Sequence, residues 1–399
     1  MADLWTLDDL GLGALNGKRV FVRVDFNVPL ADGKVLDGTR LEEALPTLRE
    51  LTAAGAVVIL ASHLGRPKGK PDPRYTLQPV AEALVPLLGQ AVRFAGDCVG
   101  PEVEALVRGM GPGEVVLLEN LRFHAEEEKN DPAFAERLAA LAEVYVDDAF
   151  GSAHRAHASV VGVPERLAHK AAGRLLAREV TALGRLLGEP ARPFAAILGG
   201  AKVEGKIDTL ENLLPRLDLL LLGGGMANTF LAAEGYELGS SLFEPDRLDV
   251  ARDILARAKA RGTEVLLPRD VVVTDDLGNP GRIETVAADR IPAGLKAVDV
   301  GPETRRAFAA AIARAGTLFW NGPLGVFEKP PFDAGTREVA QALAGCAGFS
   351  VIGGGETVAA VKQAGVAGRI GHVSTGGGAS LEFLAGKTLP GVAVLERGR

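Results

Sequence analysis

Four apolar runs in the second half of the chain each stop at a glycine cluster. Ala195 to Leu198 precede Gly199-Gly200, Leu219 to Leu222 precede Gly223-Gly224-Gly225, Phe349 to Ile352 precede Gly353-Gly354-Gly355, and Ile370 to Thr375 precede Gly376-Gly377-Gly378. A short apolar run that stops at glycine and enters a helical pattern predicts a buried parallel strand turning into a helix. Glycine at such a turn lets a phosphate or a base approach the backbone amides. The first half has similar runs, but their ends carry Arg, His, Asp and Asn. The chain therefore reads as two α/β halves, one ending its strands in glycine and the other in cations. That pairing suits an enzyme that brings a nucleotide to a small anionic partner.

The 399 residues, at roughly 150 per domain, point to two or three domains, each with its own core. No apolar stretch approaches the roughly 18 residues of a membrane span. Asp3, Asp8 and Asp9 near the N-terminus do not make the basic-then-apolar pattern of a secretory signal. The two cysteines, Cys98 and Cys346, are far apart and read as buried structural thiols, not as a disulfide framework. A cytoplasmic location is expected. A net charge of −7 argues against nucleic acid or an anionic membrane as partner. An acidic chain that binds an anion must concentrate its cations locally.

Strands are predicted at Arg19 to Val24, Ala56 to Leu60, Val115 to Leu118 and Val144 to Val146, with helices between them over Arg40 to Ala54 and Thr76 to Leu88. Ala172 to Leu187 reads as a helix, followed by Gly188-Glu189-Pro190 and a new strand at Phe194. The predicted fold is α/β: two doubly wound, Rossmann-like parallel-sheet domains over residues 1–171 and 189–387, joined by a helix at 172–188.

The glycine half lacks a standard nucleotide signature. Gly200 to Lys206 meets the first seven positions of a Walker A loop, but Ile207 at the eighth has no hydroxyl for Mg²⁺. No G-x-G-x-x-G follows a strand at the start of either half. Lys202 and Lys206, four apart, are expected on one face of a helix that opens after Gly199-Gly200. They can reach phosphate oxygens or simply form a solvated face. Gly354, Gly355, Glu356 and Thr357 offer a helix N-terminus for phosphates, with Glu356 either facing Mg²⁺ or matching the helix dipole. Asn321 and Pro323, with Glu328, can hold a base and a ribose.

In the cationic half, Asp25-Phe26-Asn27 follows the first strand and Arg40 opens the next helix. His63-Leu64-Gly65-Arg66 follows the second strand, Arg122 the third and Arg155 the fourth. Ligands of an open parallel sheet collect at the carboxyl ends of its strands, so Arg40, His63, Arg66, Arg122 and Arg155 are expected to converge. The planar fork of arginine suits phosphate and carboxylate oxygens. Singly, each of these arginines reads equally well as a surface ion pair. His154 and His157 lack zinc-ligand spacing.

The motifs Val22-Arg23-Val24-Asp25-Phe26-Asn27-Val28-Pro29, Ser62 to Pro67, Leu118 to Phe123, Asp148 to Arg155, Leu198 to Val203 and Trp320 to Glu328 resemble, in order, those of the phosphoglycerate kinase family. The resemblance implies two domains about a hinge helix, with 3-phosphoglycerate bound by residues 1–171 and Mg²⁺ with ATP or ADP bound by residues 189–387. It implies that the tail at 388–399 returns to the N-terminal domain. The implied phosphoglycerate site is Asp25, Phe26, Asn27, Arg40, His63, Leu64, Gly65, Arg66, Arg122 and Arg155. The implied nucleotide site is Gly200, Lys202, Lys206, Gly224, Asn321, Pro323, Glu328, Gly354, Gly355, Glu356 and Thr357. The family usually has Asp where this chain has Glu356, so metal contact there involves a longer side chain. A monomer is expected.

The implied reaction moves a phosphoryl group between the acyl phosphate of 1,3-bisphosphoglycerate and ADP, giving 3-phosphoglycerate and ATP in glycolysis. Neither attacking group needs deprotonation near neutral pH, so transfer is expected to be direct, in line, and completed by domain closure, with Arg40 and Lys202 gripping the transferring group. A nicotinamide-dependent dehydrogenase is the alternative enzyme, and it lacks its glycine fingerprint. A solute-binding protein that closes on an anion predicts no nucleotide site.

Overall fold

A computed structural model describes residues 3–398. The chain divides into two compact units, one comprising the chain through Thr181 together with the segment from Thr388, the other Ala182–Lys387.

The first unit contains β1 (Arg19–Val24), β2 (Leu30–Ala31), β3 (Lys34–Val35), β4 (Val57–Ala61), β5 (Val92–Phe94), β6 (Val115–Leu117), β7 (Val144–Asp148) and β8 (His169–Ala172). β2 and β3 make a small antiparallel hairpin, and the other six form a parallel sheet in the order β5-β6-β4-β1-β7-β8. β1 lies inside the sheet, with Val22 opposite Leu60 on one side and Val146 on the other. Both faces of such a strand are covered, which is why its residues read as an unbroken apolar run instead of an alternating one. Val22, Leu60 and Leu48 of the helix Thr39–Ala53 are fully buried in one core. The helices Pro101–Arg108 and Pro132–Ala139 each begin with proline, whose missing N–H costs nothing in the first turn. The segment from Thr388 packs on this unit: Trp5 donates to the carbonyl of Leu395 at 2.9 Å, and Gly391 to that of Ala153 at 2.9 Å.

The helix predicted from Ala172 begins instead at Arg174 and runs to Leu187. Ala172 belongs to β8, paired in register with Asp147. Side chains set the start: Thr47 Oγ1 accepts the N–H of Arg174 at 2.8 Å, and Asp148 Oδ1 accepts those of Leu175 at 2.8 Å and Leu176 at 3.2 Å. A carboxyl is thus placed on the otherwise unpaired donors of a helix N-terminus.

The second unit contains β9 (Phe194–Leu198), β10 (Leu219–Leu222), β11 (Glu264–Leu266), β12 (Asp270–Thr274), β13 (Ile283–Ala287), β14 (Lys296–Val300), β15 (Thr317–Asn321), β16 (Phe349–Gly353) and β17 (His372–Val373). A six-stranded parallel sheet has the order β11-β10-β9-β15-β16-β17. Its four predicted glycine-terminated strands are β9, β10, β16 and β17. β13-β12-β14 form a separate antiparallel sheet that sequence reasoning did not foresee. Trp320 of β15 is fully buried beside its register partner Ile197 of β9. Among the described residues, no helix is long and apolar enough to cross a membrane.

Two outcomes are expected. Ile197→Ala removes most of a side chain from the core around Trp320, and should cost about 2–5 kcal/mol of stability, read from urea unfolding by Trp320 fluorescence. Burial pushes the Asp148 carboxyl up to about 7 and that of Asp147 to about 6. Between the unfolded carboxyl's value of 3.8 and about 7, the folded protein holds protons that the unfolded chain releases. Stability from these groups is therefore present at low pH and lost as pH rises through that window. Asp148→Asn should flatten the decline in denaturant midpoint between about pH 4 and about pH 7.

Candidate active site

In the first unit, adjacent parallel strands release their chains at one edge, and short polar side chains tie the loops together. Asp25 Oδ2 lies 2.6 Å from Arg40 Nη1. Asn27 donates its N–H to Asp25 Oδ1 at 3.2 Å, and its own Oδ1 accepts the N–H of Gly65 at 2.9 Å. Ser62 Oγ accepts the N–H of Phe26 at 2.9 Å. Asn120 binds both the N–H and the carbonyl of Leu64, at 3.2 and 2.8 Å. Arg122 Nη1 donates to the carbonyl of Gly65 at 2.9 Å. The loops after β1, β4 and β6 are thereby one hydrogen-bonded assembly. It brings Asp25, Phe26, Asn27, Arg40, Leu64, Gly65 and Arg122 together.

Arg122 is 5% exposed, and burial above all draws its pKa down to about 10, against the pull of Glu128 at 3.3 Å. It still carries its charge at neutral pH. His63 Nδ1 lies 3.1 Å from Arg23 Nη2. A guanidinium only donates, so Nδ1 is the acceptor and the ring proton is assigned to Nε2. Burial, then the charges of Arg23, Arg122 and Arg40, hold the His63 pKa well below its usual value. His157 is drawn down to about 3, by burial first and then Arg23, Arg122 and Arg155. Arg155 is partly exposed and donates from Nε to His154 Nε2 at 3.3 Å. Arg66 stands exposed on the loop after β4, apart from the hydrogen-bonded set. The site is thus permanent guanidinium charge beside neutral imidazole. It can grip an anion over a wide pH range without first taking up a proton.

Arg23 lies inside the motif Val22 to Pro29, where the sequence alone points to no role for it. It is fully buried at the end of β1 and donates to Ser159 Oγ at 2.9 Å, Ser152 Oγ at 3.3 Å and the carbonyl of Val24. Glu127, also fully buried, accepts from Ser159 N–H at 3.0 Å and Ser159 Oγ at 2.6 Å. The available signal was a charge inside an otherwise apolar interior strand, which has to find partners.

In the second unit, a cavity of about 260 Å³ opens at the strand ends, with Gly200, Gly224, Pro323, Glu328 and Glu356 on its walls. Gly224 has φ +62°, and a Cβ there would lie 2.8 Å from the Gly200 carbonyl oxygen, so only glycine fits the wall. Gly354 has φ +91° and immediately precedes the helix Gly355–Gln363; a Cβ there would meet Asn321 Nδ2 at 2.7 Å. Asn321 and Thr357 are buried and turned into the protein. Asn321 Nδ2 donates to the carbonyl of Gly353 at 2.8 Å, and Thr357 Oγ1 accepts the N–H of Gly322 at 2.7 Å. Glu328 and Glu356 are exposed. Lys296 and Asp299, from the unforeseen antiparallel sheet, also line the cavity.

Lys202 and Lys206 do not share a helix face. Residues 200–203 are irregular, and a 3₁₀ turn starts only at Glu204. Lys202 is exposed, whereas Lys206 turns inward, donating from Nζ to the carbonyls of Gly199 and, at 3.2 Å, Asn321. Burial draws the Lys206 pKa down to about 8, with Glu356 pulling it back up.

An arginine-lined cluster suited to an anion in one unit and a glycine-walled pocket in the other, each at the carboxyl edge of its own parallel sheet, are the equipment of a small-molecule kinase. A family model described as Phosphoglycerate kinase matches residues 7–387. The phosphoglycerate kinase of Moorella thermoacetica is 56% identical over 390 residues, covering 98% of each chain. That of Thermus thermophilus is 58% identical over 382 residues, 95% of this chain and 97% of its own. The solved phosphoglycerate kinase of Coxiella burnetii superposes with a TM-score of 0.89 at 40% identity, covering 98% of both chains. The chain belongs to the phosphoglycerate kinase family and is a phosphotransferase with a carboxyl group as acceptor. A dehydrogenase is not favoured.

Lys206 carries a testable consequence. An anion bound beside Lys206 would restore the ammonium's preference for its proton, so its binding above about pH 8 would take a proton up and its affinity would fall as pH rises there. ADP titrations should weaken as pH rises through about 8, and Lys206→Arg should abolish that decline.

Proposed function

We propose that the first unit binds 3-phosphoglycerate or 1,3-bisphosphoglycerate and the second unit binds ATP or ADP. The observation that carries this reading is the gathering of Arg40, His63 and Arg122, each tied by its own hydrogen bond or ion pair to the strand-end loops, in a chain of net charge −7. Arg40, Arg66, Arg122 and Arg155 neutralise the phosphate and carboxylate of the acid. Asp25 orients Arg40, Asn27 fixes the loop of Gly65, and His63 offers its Nε2–H as an uncharged donor. Phe26 and Leu64 close the loops from below. In the other unit Gly200, Gly224, Pro323 and Glu328 form the base and ribose walls, while Gly354, Gly355 and Lys206 face the phosphates. Asn321 and Thr357 lock the turns that present them.

In the ATP-forming direction a terminal oxygen of ADP attacks the acyl phosphorus, the phosphorus–oxygen bond to the carboxyl breaks, and that electron pair stays on the carboxylate. No proton moves, so no general base is required. What the protein supplies is alignment and charge stabilisation of a loose in-line transition state, with Arg40 and Lys202 as the groups that grip the transferring oxygens. Ligands held on different units have to meet, so turnover requires the units to approach.

Mg²⁺ fits the second unit. Glu356 presents a hard oxygen donor on the cavity wall in the first turn of Gly355–Gln363, and a nucleotide's phosphates supply the remaining hard ligands. Bound there, the ion neutralises phosphate charge, and Glu356 would hold it directly or through water. The enzyme acts as a cytoplasmic monomer on this reading, with the helix Arg174–Leu187 as hinge.

The test is ATP- and Mg²⁺-dependent formation of 1,3-bisphosphoglycerate from 3-phosphoglycerate, followed by NADH consumption with added glyceraldehyde-phosphate dehydrogenase. Lys202→Ala should lower turnover by more than about tenfold, roughly 1.4 kcal/mol of barrier. Glu356→Asp should shift the Mg²⁺ concentration for half-maximal rate. Folded protein that turns over without Mg²⁺, or ignores both substitutions, contradicts these roles.

A further inference from the structure

Three side chains outside the proposed reaction site meet at the ends of β5 and β6. Phe94 and Leu117 are register partners, so the loops that follow them, carrying Asp97-Cys98 and Leu121 to His124, lie side by side. His124 Nε2 is 2.7 Å from Asp97 Oδ1. One ligand atom each from Asp97, Cys98 and His124 lie within 4.8 Å of one another. The Cys98 N–H holds Asp97 Oδ1 at 2.6 Å, and the His124 ring stacks on Phe134 with centroids 5.2 Å apart, so both flanking ligands are oriented. A cavity of about 790 Å³ gives access to Asp97 and His124, with Glu102 and Arg137 also on its wall.

We propose that Asp97, Cys98 and His124 form a binding site for a borderline-soft divalent ion of the Zn²⁺ class. Bonds of about 2.0–2.3 Å to such an ion place tetrahedral ligand atoms roughly 3.3–3.8 Å apart, so the hydrogen-bonded His124–Asp97 pair at 2.7 Å opens around the ion while separations of up to 4.8 Å close. Thiolate, imidazole and one carboxylate is a poor set for Mg²⁺, which takes hard oxygens, and a good one for Zn²⁺ or Co²⁺. Three protein ligands leave the fourth position to water from the cavity. The Cys98 thiol is fully buried, so the ion has to displace its proton on entry. The charge of Arg137 opposes the ion, whereas those of Asp97 and Glu102 favour it. Bound metal would clamp the two loops.

Chelator-treated full-length enzyme titrated with Co²⁺ tests this. A thiolate-to-cobalt charge-transfer absorption should saturate at one equivalent and be displaced by Zn²⁺. Cys98→Ala should abolish it. His124→Gln, at a partly exposed position, should weaken binding by about tenfold or more with the circular dichroism unchanged. Cys346→Ala, the only other cysteine, should retain the band. Absence of the band in folded wild type, its survival in Cys98→Ala, or its loss in Cys346→Ala overturns the site.

Discussion

A fully buried guanidinium organises the first unit. Taking a charge out of water costs several kcal/mol unless its donors are matched, so Arg23 dictates where its acceptors must be. They are the carbonyl of Val24, the Nδ1 of His63, and the hydroxyls of Ser152 and Ser159. These come from the end of β1, the loop after β4 and the segment after β7. Satisfying one charge therefore fixes three chain ends of a single sheet edge. Ser159 in turn engages the buried Glu127, whose carboxyl pKa is raised by desolvation and held back by Arg23. The imidazole of His63 inherits both its tautomer and its neutrality from this arrangement.

The second unit solves the same problem more sparingly. Lys206 places its ammonium on the carbonyls of Gly199 and Asn321, joining the ends of β9 and β15. Glycines then remove every side chain that would close the approach to the backbone. The result is a soft, partly charged pocket instead of an array of fixed forks. The difference fits the proposed ligands: a small, densely charged acid would need bidentate cations, whereas a nucleotide would offer an extended apolar base that walls of Gly and Pro can flank.

Much of this was legible in the chain. Unbroken apolar runs ending in glycine or in Arg and His marked β1, β4, β6, β7, β9, β10 and β16 within a residue or two, because strands buried on both faces leave no alternation to misread. The stretch Asp270 to Val300 escaped because its half-exposed antiparallel strands are separated by polar, glycine-rich turns. With it escaped Lys296 and Asp299, whose relation to the cavity exists only in three dimensions. The four-residue spacing of Lys202 and Lys206 predicts one helical face. Gly200 at φ +91° keeps the chain irregular until the turn at Glu204, and that spacing then has no helical meaning. The start of the helix Arg174–Leu187 was misjudged because Asp148 and Thr47, distant in sequence, set it.

On the proposed division of labour, cations of the first unit recognise the acid and the second unit recognises the nucleotide. Calorimetric titration of Arg40→Gln with each ligand separately tests it most directly, since Arg40 is partly exposed and its loss leaves Asp25 accessible to water. The 3-phosphoglycerate affinity should weaken by about tenfold or more, the scale of a lost charge-assisted bidentate contact, with ADP affinity essentially unchanged. Equal weakening of both ligands, or of ADP alone, would contradict it.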